Sequence, residues 1–254
     1  MKRYYFASDL HLGTPNSESS LQRERVFVQW LDSIKADAKA IYLVGDLFDF
    51  WHEYKMAVPR GYTRLLGKLA ELSDSGIELH LFTGNHDLWM DDYLEKELNT
   101  KVHRNAIVQE LEGKRFFIAH GDGLGPADHG YKFIKRVFTN PVCRWLFRWL
   151  HPDLGIRLAS YLSRRSRYGS GGYELEKFMG EDREWLWLYA RRKLQQQHYD
   201  YFIFGHRHLP LDIEVQPGSQ YINLGDWLDY RSYAVYDGNK VQLCYFSTGN
   251  NIIA

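Results

Sequence analysis

Cysteine is scarce in this chain: Cys143 and Cys244 are its only two, and their separation matches no metal-binding spacing. A pair this sparse permits a reducing compartment, and two free thiols are expected. Net charge is also missing. The 32 basic residues cancel the 32 acidic ones, so no global field draws in nucleic acid, and any preference for an anionic partner must come from local patches. No uncharged run approaches the roughly 20 residues of a membrane-spanning helix. The segment from Met1 to Ser8 has two basic residues but reaches Asp9 after a short apolar stretch, so a signal-peptide core is lacking. A cytoplasmic protein is expected, with peripheral association at a membrane left open. There is neither an internal repeat nor a low-complexity tract.

What remains is ordinary for a globular chain, with 44% hydrophobic and 25% charged residues over 254 positions. That length suits one large α/β domain, or one domain carrying an insertion, and the second is favoured. From residue 3 to about 122, apolar β-prone runs alternate with helical patterns, which implies βαβ units and a largely parallel start to the sheet. Val26, Phe27, Trp30, Leu31 and Ile34 predict a helix over 21–34, and Leu65, Leu66, Leu69 and Leu72 predict another over 62–72, closed by Gly76. After Gly205 the runs shorten. Gln220 to Leu224, Ser232 to Tyr236 and Lys240 to Phe246 are β-like, the last two joined by the hairpin signal Asp237-Gly238-Asn239, and they suggest a second, more antiparallel sheet.

Five short polar segments each follow an apolar run: Asp9-Leu10-His11, Gly45-Asp46, Gly84-Asn85-His86-Asp87, His120-Gly121-Asp122 and Gly205-His206-Arg207-His208. Ligands in open α/β sheets gather beyond the carboxyl ends of strands, so five such clusters can converge on one crevice. Hydrolysis of a phosphate ester at neutral pH needs a deprotonated water and neutralised charge around phosphorus, which two neighbouring cations can supply. Carboxylates and imidazoles are suitable ligands, and mixed nitrogen and oxygen donors favour manganese, iron or zinc over magnesium or calcium. Asp9 and His11, two apart, can share a metal, and Asp46 is the natural bridge. Any one of these segments alone would ordinarily be a turn or a cap. His52, His80, His103, His129, His151 and His198 are expected to be surface or packing residues.

The ordered set resembles the calcineurin-like metallophosphoesterases, whose signature is D-x-H, G-D, G-N-H-[DE], H-G-D and G-H-x-H. The resemblance spans nearly the whole chain. It implies an α/β fold, a two-sheet sandwich flanked by helices, forming a single domain over 1–254 with a helical cap inserted at 129–198. It implies one metal held by Asp9, His11, Asp46 and His208 and a second held by Asp46, Asn85, His120 and His206, with a hydroxide activated between them attacking phosphorus in line. His86 would act as a general acid or as a charged donor to the phosphate, with Asp87 orienting it. Asp49 and Asp122 would support imidazoles or loops from behind.

Between Tyr131 and Tyr168 the insert carries nine basic residues and one acidic residue, Asp153, interleaved with Phe133, Phe138, Trp145, Phe147, Trp149, Tyr161 and other apolar side chains. This reads as a basic, amphipathic helical cap, followed by a longer helix over 173–198. Basic groups beside apolar surface suit an amphiphile with a phosphate head and acyl tails; a nucleic-acid channel would use similar residues. Asp9-Leu10-His11-Leu12, Gly45-Asp46-Leu47-Phe48 with Trp51, and His120-Gly121-Asp122-Gly123-Leu124 with Asp128 and Gly130-Tyr131 are similar to the bacterial UDP-2,3-diacylglucosamine diphosphatases of lipid A synthesis. That similarity implies hydrolysis to UMP and 2,3-diacylglucosamine 1-phosphate at the inner membrane surface, by a monomer with two divalent ions, manganese first. It places Asn85, His86, Asp128 and Tyr131 on the substrate, together with residues of the Ser163–Ser170 stretch such as Arg164 and Arg165. One departure is His86, where familiar members carry arginine, a permanent cation that cannot exchange a proton. Two other readings stay open: a phosphodiesterase or phosphatase for a soluble nucleotide, nucleic acid or phosphoprotein, and a non-enzymatic scaffold docking through Trp145, Phe147 and Trp149.

Overall fold

The computed structural model describes residues 2–125, 129–169, 177–248 and 252–253; for 129–131, 133–134, 160, 163–169 and 252–253 it describes the backbone alone. The chain opens β1 (Arg3–Ala7), α1 (Ser17–Ile34), β2 (Ala38–Val44), α2 (Thr63–Asp74), β3 (Glu78–Phe82), α3 (Tyr93–Leu98) and β4 (Lys101–His103). It continues with β5 (Ile107–Leu111) and β6 (Lys114–Ala119), then the helices α4 (His129–Thr139), α5 (Pro141–Arg148), α6 (Pro152–Gly169) and α7 (Trp185–Leu194). It closes with β7 (Tyr201–Phe204), β8 (Pro210–Gln216), β9 (Ser219–Leu224), β10 (Ser232–Tyr236), β11 (Val241–Tyr245) and β12 (Ile252–Ile253).

Strand alternation decides the layering. In β1, Tyr4 and Phe6 face one way and Tyr5 and Ala7 the other, and all are buried, so the sheet must be covered on both faces. One sheet runs β12-β11-β10-β1-β2-β3-β4 and the other β5-β6-β7-β9-β8. Their inner faces meet through Phe6, Tyr42, Val44 and Phe82 on one side and Phe116, Ile118, Ile203 and Ile222 on the other. Helices α1, α2 and α3 cover the first sheet with Phe27, Trp30, Leu65, Leu69 and Leu94, while α7 covers the second with Leu186, Trp187 and Ala190. The result is a sandwich of two sheets between helical layers. The parallel start is as expected, β1 through β4 pairing in parallel.

The tail departs from expectation. β8 and β9 do enter the second sheet, but β10 and β11 return to the first, where β10 lies antiparallel to β1 with Tyr4 opposite Tyr236. Every residue of β10 is buried, so it needs cover on both faces, which a place in the first sheet's interior supplies. The helix expected over 173–198 is also shorter. Residues 173–176 lie outside the described set, Gly180 takes a positive φ of 98°, and a 3-10 turn at Glu181–Arg183 precedes α7. Glu184 leaves helical geometry, and its buried carboxylate accepts from Arg207 Nε at 3.2 Å and Tyr221 Oη at 3.2 Å. The 62–72 helix stops as expected, Gly76 donating its N–H to Ser73 O at 2.9 Å with a φ of 86°.

Helices α4, α5 and α6 stand over the carboxyl ends of the strands and touch the core at few points. Trp89 Nε1 donates to Phe138 O at 2.6 Å, Lys135 pairs with Asp122, and Arg144 and Arg148 both pair with Asp91. Phe147 packs edge-on against His52 and tilted against Trp89, with ring centroids 4.9 and 4.7 Å apart. His52 is buried there, and neither of its ring nitrogens has a hydrogen-bond partner. Burial, with Arg148 nearby, pushes its pKa down to about 4. An unfolded histidine titrates near 6.5, so between pH 6.5 and 4 the unfolded chain binds the extra proton, and stability falls as pH is lowered through that window. Going from pH 7.5 to 5 should therefore cost about 2 kcal/mol through His52 alone. Denaturant unfolding of His52→Leu at both pH values should show a correspondingly smaller loss than wild type. Equal losses would remove His52 from the account.

Candidate metal centre

The exits of β1, β2 and β3 in one sheet and β6 and β7 in the other point to the same end of the sandwich, and their polar segments meet at the seam. Main-chain bonds draw the turns together: Asp9 N donates to Gly45 O at 3.1 Å, His11 N to Asp46 O at 2.9 Å, and Gly205 N to His120 O at 2.9 Å. Asp9, His11, Asp46, His206 and His208 all adopt left-handed backbone, with φ from 45° to 68°. Such a conformation disfavours non-glycine residues by roughly 1–2 kcal/mol each, so the packing around these turns must impose it. It turns each side chain back from the strand end toward the seam.

Three groups of potential ligands result. Asp9, His11 and His208 form one, Asp46, His120 and His206 a second, and His11, Asp46 and His86 a third that joins them. His208 Nε2 lies 3.3 Å and His11 Nε2 3.6 Å from Asp9 Oδ1, while the two imidazole nitrogens approach each other to 3.1 Å. Asp46 Oδ2 is 3.3 Å from His120 Nε2 and 3.7 Å from His11 Nε2, the position a bridging carboxylate needs. Asn85 Oδ1 sits 3.3 Å from His120 Nε2. Asp9 Oδ1 is buried without a hydrogen-bond partner, facing imidazole nitrogens. A buried carboxylate oxygen left in that state is costly, and a divalent cation between it and the imidazoles would satisfy it, so the donor set fits a metal pair.

The electrostatics agree. Burial alone would raise the Asp46 carboxyl, but the imidazoles of His120, His86 and His11 outweigh it and hold the group well below the carboxylate range. Burial opposes charge on His120, yet Asp46, Asp9 and Asp122 lift its pKa to about 10. Burial and the neighbouring His120 push His206 down to about 3. A proton on His120 thus balances Asp46 in a cation-free centre, on an atom that a metal would use, whereas at Asp9 burial outweighs His208 and His120 and raises the carboxyl.

His86 stands edge-on to His11, its Nδ1 3.3 Å from Asp49 O and 3.7 Å from Asp49 Oδ1. Asp49 also lies 3.8 Å from His11 Nδ1, so it backs two rings, as expected. Asp87 does not fulfil its expected role of orienting His86. Its buried carboxylate accepts from main-chain N–H groups instead, Gly84 at 2.7 Å, Leu47 at 2.8 Å and Phe48 at 3.3 Å, and so ties the Asp46 turn to the Asn85 turn. Asp122 pairs with Lys135 and links the centre to α4. Asp128 lies outside the described residues, and the side chains of Tyr131, Arg164 and Arg165 do too. Of the histidines expected to be idle, His80 is buried with Nδ1 2.9 Å from His103 Nε2, and His151 and His198 are exposed.

Two supporting residues escaped the sequence reading. Arg23 of α1 donates to Leu10 O at 2.6 Å, His11 O at 2.7 Å and Thr14 O at 2.6 Å, holding the first ligand turn; nothing distinguishes it in sequence from any arginine on a helix. Asp226 meets His208 Nδ1 at 3.1 Å. Here a signal existed, because Gly225-Asp226 follows the apolar run of β9 just as Gly45-Asp46 follows β2.

The chain matches the calcineurin-like phosphoesterase family over residues 2–210. It belongs to that family. Among curated relatives, the UDP-2,3-diacylglucosamine hydrolase of Porphyromonas gingivalis is 42% identical, the alignment covering 95% of this chain and 96% of that protein. The enzymes of the same name from Pseudomonas putida and Haemophilus ducreyi are 30% and 28% identical, covering 94% and 91% of this chain and 97% and 94% of theirs. The glycines of the family segments have a local reason here. A Cβ on Gly84 would overlap Asp46 Oδ1 and its main-chain nitrogen, and one on Gly205 would lie 2.6 Å from Asp9 Oδ2. Gly84→Ala should displace Asp46, destabilise the fold by about 1–3 kcal/mol and lower bound metal after reconstitution. Elemental analysis beside a melting curve checks this, and full metal content in a stable variant would refute the packing argument.

Proposed function

We propose that this metal-dependent hydrolase cleaves the diphosphate of UDP-2,3-diacylglucosamine, giving UMP and 2,3-diacylglucosamine 1-phosphate. The observation that carries the reading is the 42% identity, over 95% of the chain, to an enzyme named for that substrate. Asp9, His11, Asp46 and His208 would hold one cation, and Asp46, Asn85, His120 and His206 the other, manganese being the first choice. Bound there, the pair supplies charge neutralisation at phosphorus and a water of lowered pKa. The chain's own groups do the rest. With Nδ1 held at Asp49, His86 would present Nε2 to a phosphoryl or leaving-group oxygen, donating a hydrogen bond or a proton as charge develops. Asp87, Arg23 and the left-handed turns keep the ligand atoms converged before substrate arrives.

Helices α4 to α6 serve as the cap in this reading. Their contact with the core is apolar at the rings of Phe138 and Phe147, and their remaining described surface is both greasy and basic. Trp145 is 57%, Trp149 75% and Leu154 62% exposed, alongside Arg148 and Arg136. Such a surface supports work on acyl chains beside an anionic bilayer, and a peripheral, cytoplasmic monomer is the corresponding proposal. No helix among the described residues is long and apolar enough to cross a membrane. The scaffold alternative loses its docking triad, because Phe147 turns inward onto His52 and Trp89 while Trp145 and Trp149 stay outside.

Purified, manganese-loaded protein should release UMP from UDP-2,3-diacylglucosamine in detergent far faster than it cleaves a generic aryl phosphodiester. Cleavage of the aryl ester alone would keep the metal centre and overturn the lipid substrate. Asp46→Ala should abolish both activities while leaving a folded protein by circular dichroism. Turnover near the wild-type level would sink the bridged two-cation mechanism.

A further inference from the structure

Strand β9 runs parallel to β7 with Phe204 opposite Asn223, so the turn that leaves β9 emerges beside the one that carries His206 and His208. That turn is Gly225-Asp226. The Asp226 carboxylate is buried, and its Oδ1 accepts from the main-chain N–H groups of Asp229 at 2.9 Å and Tyr230 at 3.2 Å. Its orientation is thus fixed by the backbone. Oδ2 lies 3.1 Å from His208 Nδ1. A neutral imidazole that donates its Nδ1–H to a carboxylate keeps a lone pair on Nε2, and this Nε2 is the atom 3.3 Å from Asp9 Oδ1 and 3.1 Å from His11 Nε2. His120 is arranged alike, but its Nδ1 meets the main-chain carbonyl of Val44 at 2.8 Å, a neutral acceptor.

We propose that Asp226 is a positioning residue for the cation site formed by Asp9, His11 and His208. It fixes the tautomer and direction of the His208 ring, and its charge makes Nε2 a stronger donor than the carbonyl-backed ring of His120. The two cation sites then differ in affinity, and Asp226 sets one of them. The inference rests on the two-cation reading of the centre and can fail separately from it.

Asparagine separates this role from simple support of the 226–230 turn. Its amide oxygen still accepts from Asp229 and Tyr230, while its NH2 faces His208 Nδ1 and forces the ring's proton onto Nε2, into the cation site. Chelator-stripped wild type, Asp226→Asn and Asp226→Glu would be titrated with Mn2+ against a chelating dye, and melted in the presence of chelator. For Asp226→Asn we expect one Mn2+ affinity reduced by about 10–100-fold and the other untouched. Asp226→Glu, which keeps the charge, should recover much of the loss. Two unchanged affinities in Asp226→Asn would overturn the proposal. So would a general loss of both, accompanied by a lower metal-free melting temperature, because that is what a structural turn residue gives. Wild type that takes up no second Mn2+ would instead bring down the two-cation reading itself.

Discussion

Two carboxylates, those of Asp9 and Asp46, are buried where the two sheets meet, with imidazoles rather than water around them. Removing a carboxylate from water costs several kcal/mol even after relaxation, and that is recovered only if positive charge stands close by in good geometry. Much of the architecture at this end follows from that requirement. His11, His120 and the pair His206 and His208 come from three different strand exits, so the exits must converge. They converge because the inner faces of the two sheets are apolar and pack together, bringing β1, β2 and β3 against β6 and β7 with their carboxyl ends aligned. Core packing and site chemistry are in this sense one constraint, since slipping either sheet by one residue would turn every alternate side chain, and the strand exits with them.

The turns that carry the candidate ligands are where the strain is concentrated. Five candidate ligand residues sit at positive φ, and none of them is glycine. Main-chain bonds between turns, the three N–H groups collected by Asp87, and the three carbonyls collected by Arg23 over-determine these conformations. Strain of this kind survives only in such surroundings, and it yields a set of donors that does not need to reorganise when a cation or substrate arrives. Glycine fills the other requirement. At Gly84 and Gly205 the side chains of Asp46 and Asp9 occupy the space that a Cβ would take.

The sequence made the candidate ligands legible because they stand at the ends of apolar runs in recurrent short segments, and each such segment is a local pattern. The βαβ beginning was readable for the same reason, from the periodicity of Val26 to Ile34 and Leu65 to Leu72 against the intervening strands. What failed was long-range or compensatory. Whether β10 joins the first or the second sheet depends on which partner covers both its faces, and Ser232 to Tyr236 carry no label for that. The helix expected over 173–198 was cut short at Glu184, whose carboxylate finds Arg207 and Tyr221 across the fold, a tertiary contact that local propensity cannot foresee. Asp87 was assigned by adjacency to His86, but neighbours in a turn point apart, and its carboxylate went to the backbone. Asp226 repeated the Gly-Asp pattern of Gly45-Asp46, but its partner His208 follows another strand, β7, and no local pattern announces that pairing.

Helices α4 to α6 and the centre answer separate questions. Every candidate ligand lies on the sandwich, and helices α4 and α5 reach the centre's surroundings through Lys135 on Asp122 and the aromatic contacts of Phe138 and Phe147. The same donors could therefore hydrolyse many phosphate esters and anhydrides, and they carry little information about which one. Selectivity must come from what the helices α4 to α6 add. They contribute cationic groups and apolar surface in one layer, and none of the residues of α5 is buried, so this layer is not spent on a core of its own. A soluble nucleotide could use the cations but would leave the apolar surface in water, whereas an amphiphile with a diphosphate head uses both. That asymmetry is why helices α4 to α6, rather than the candidate metal centre, favour the lipid substrate.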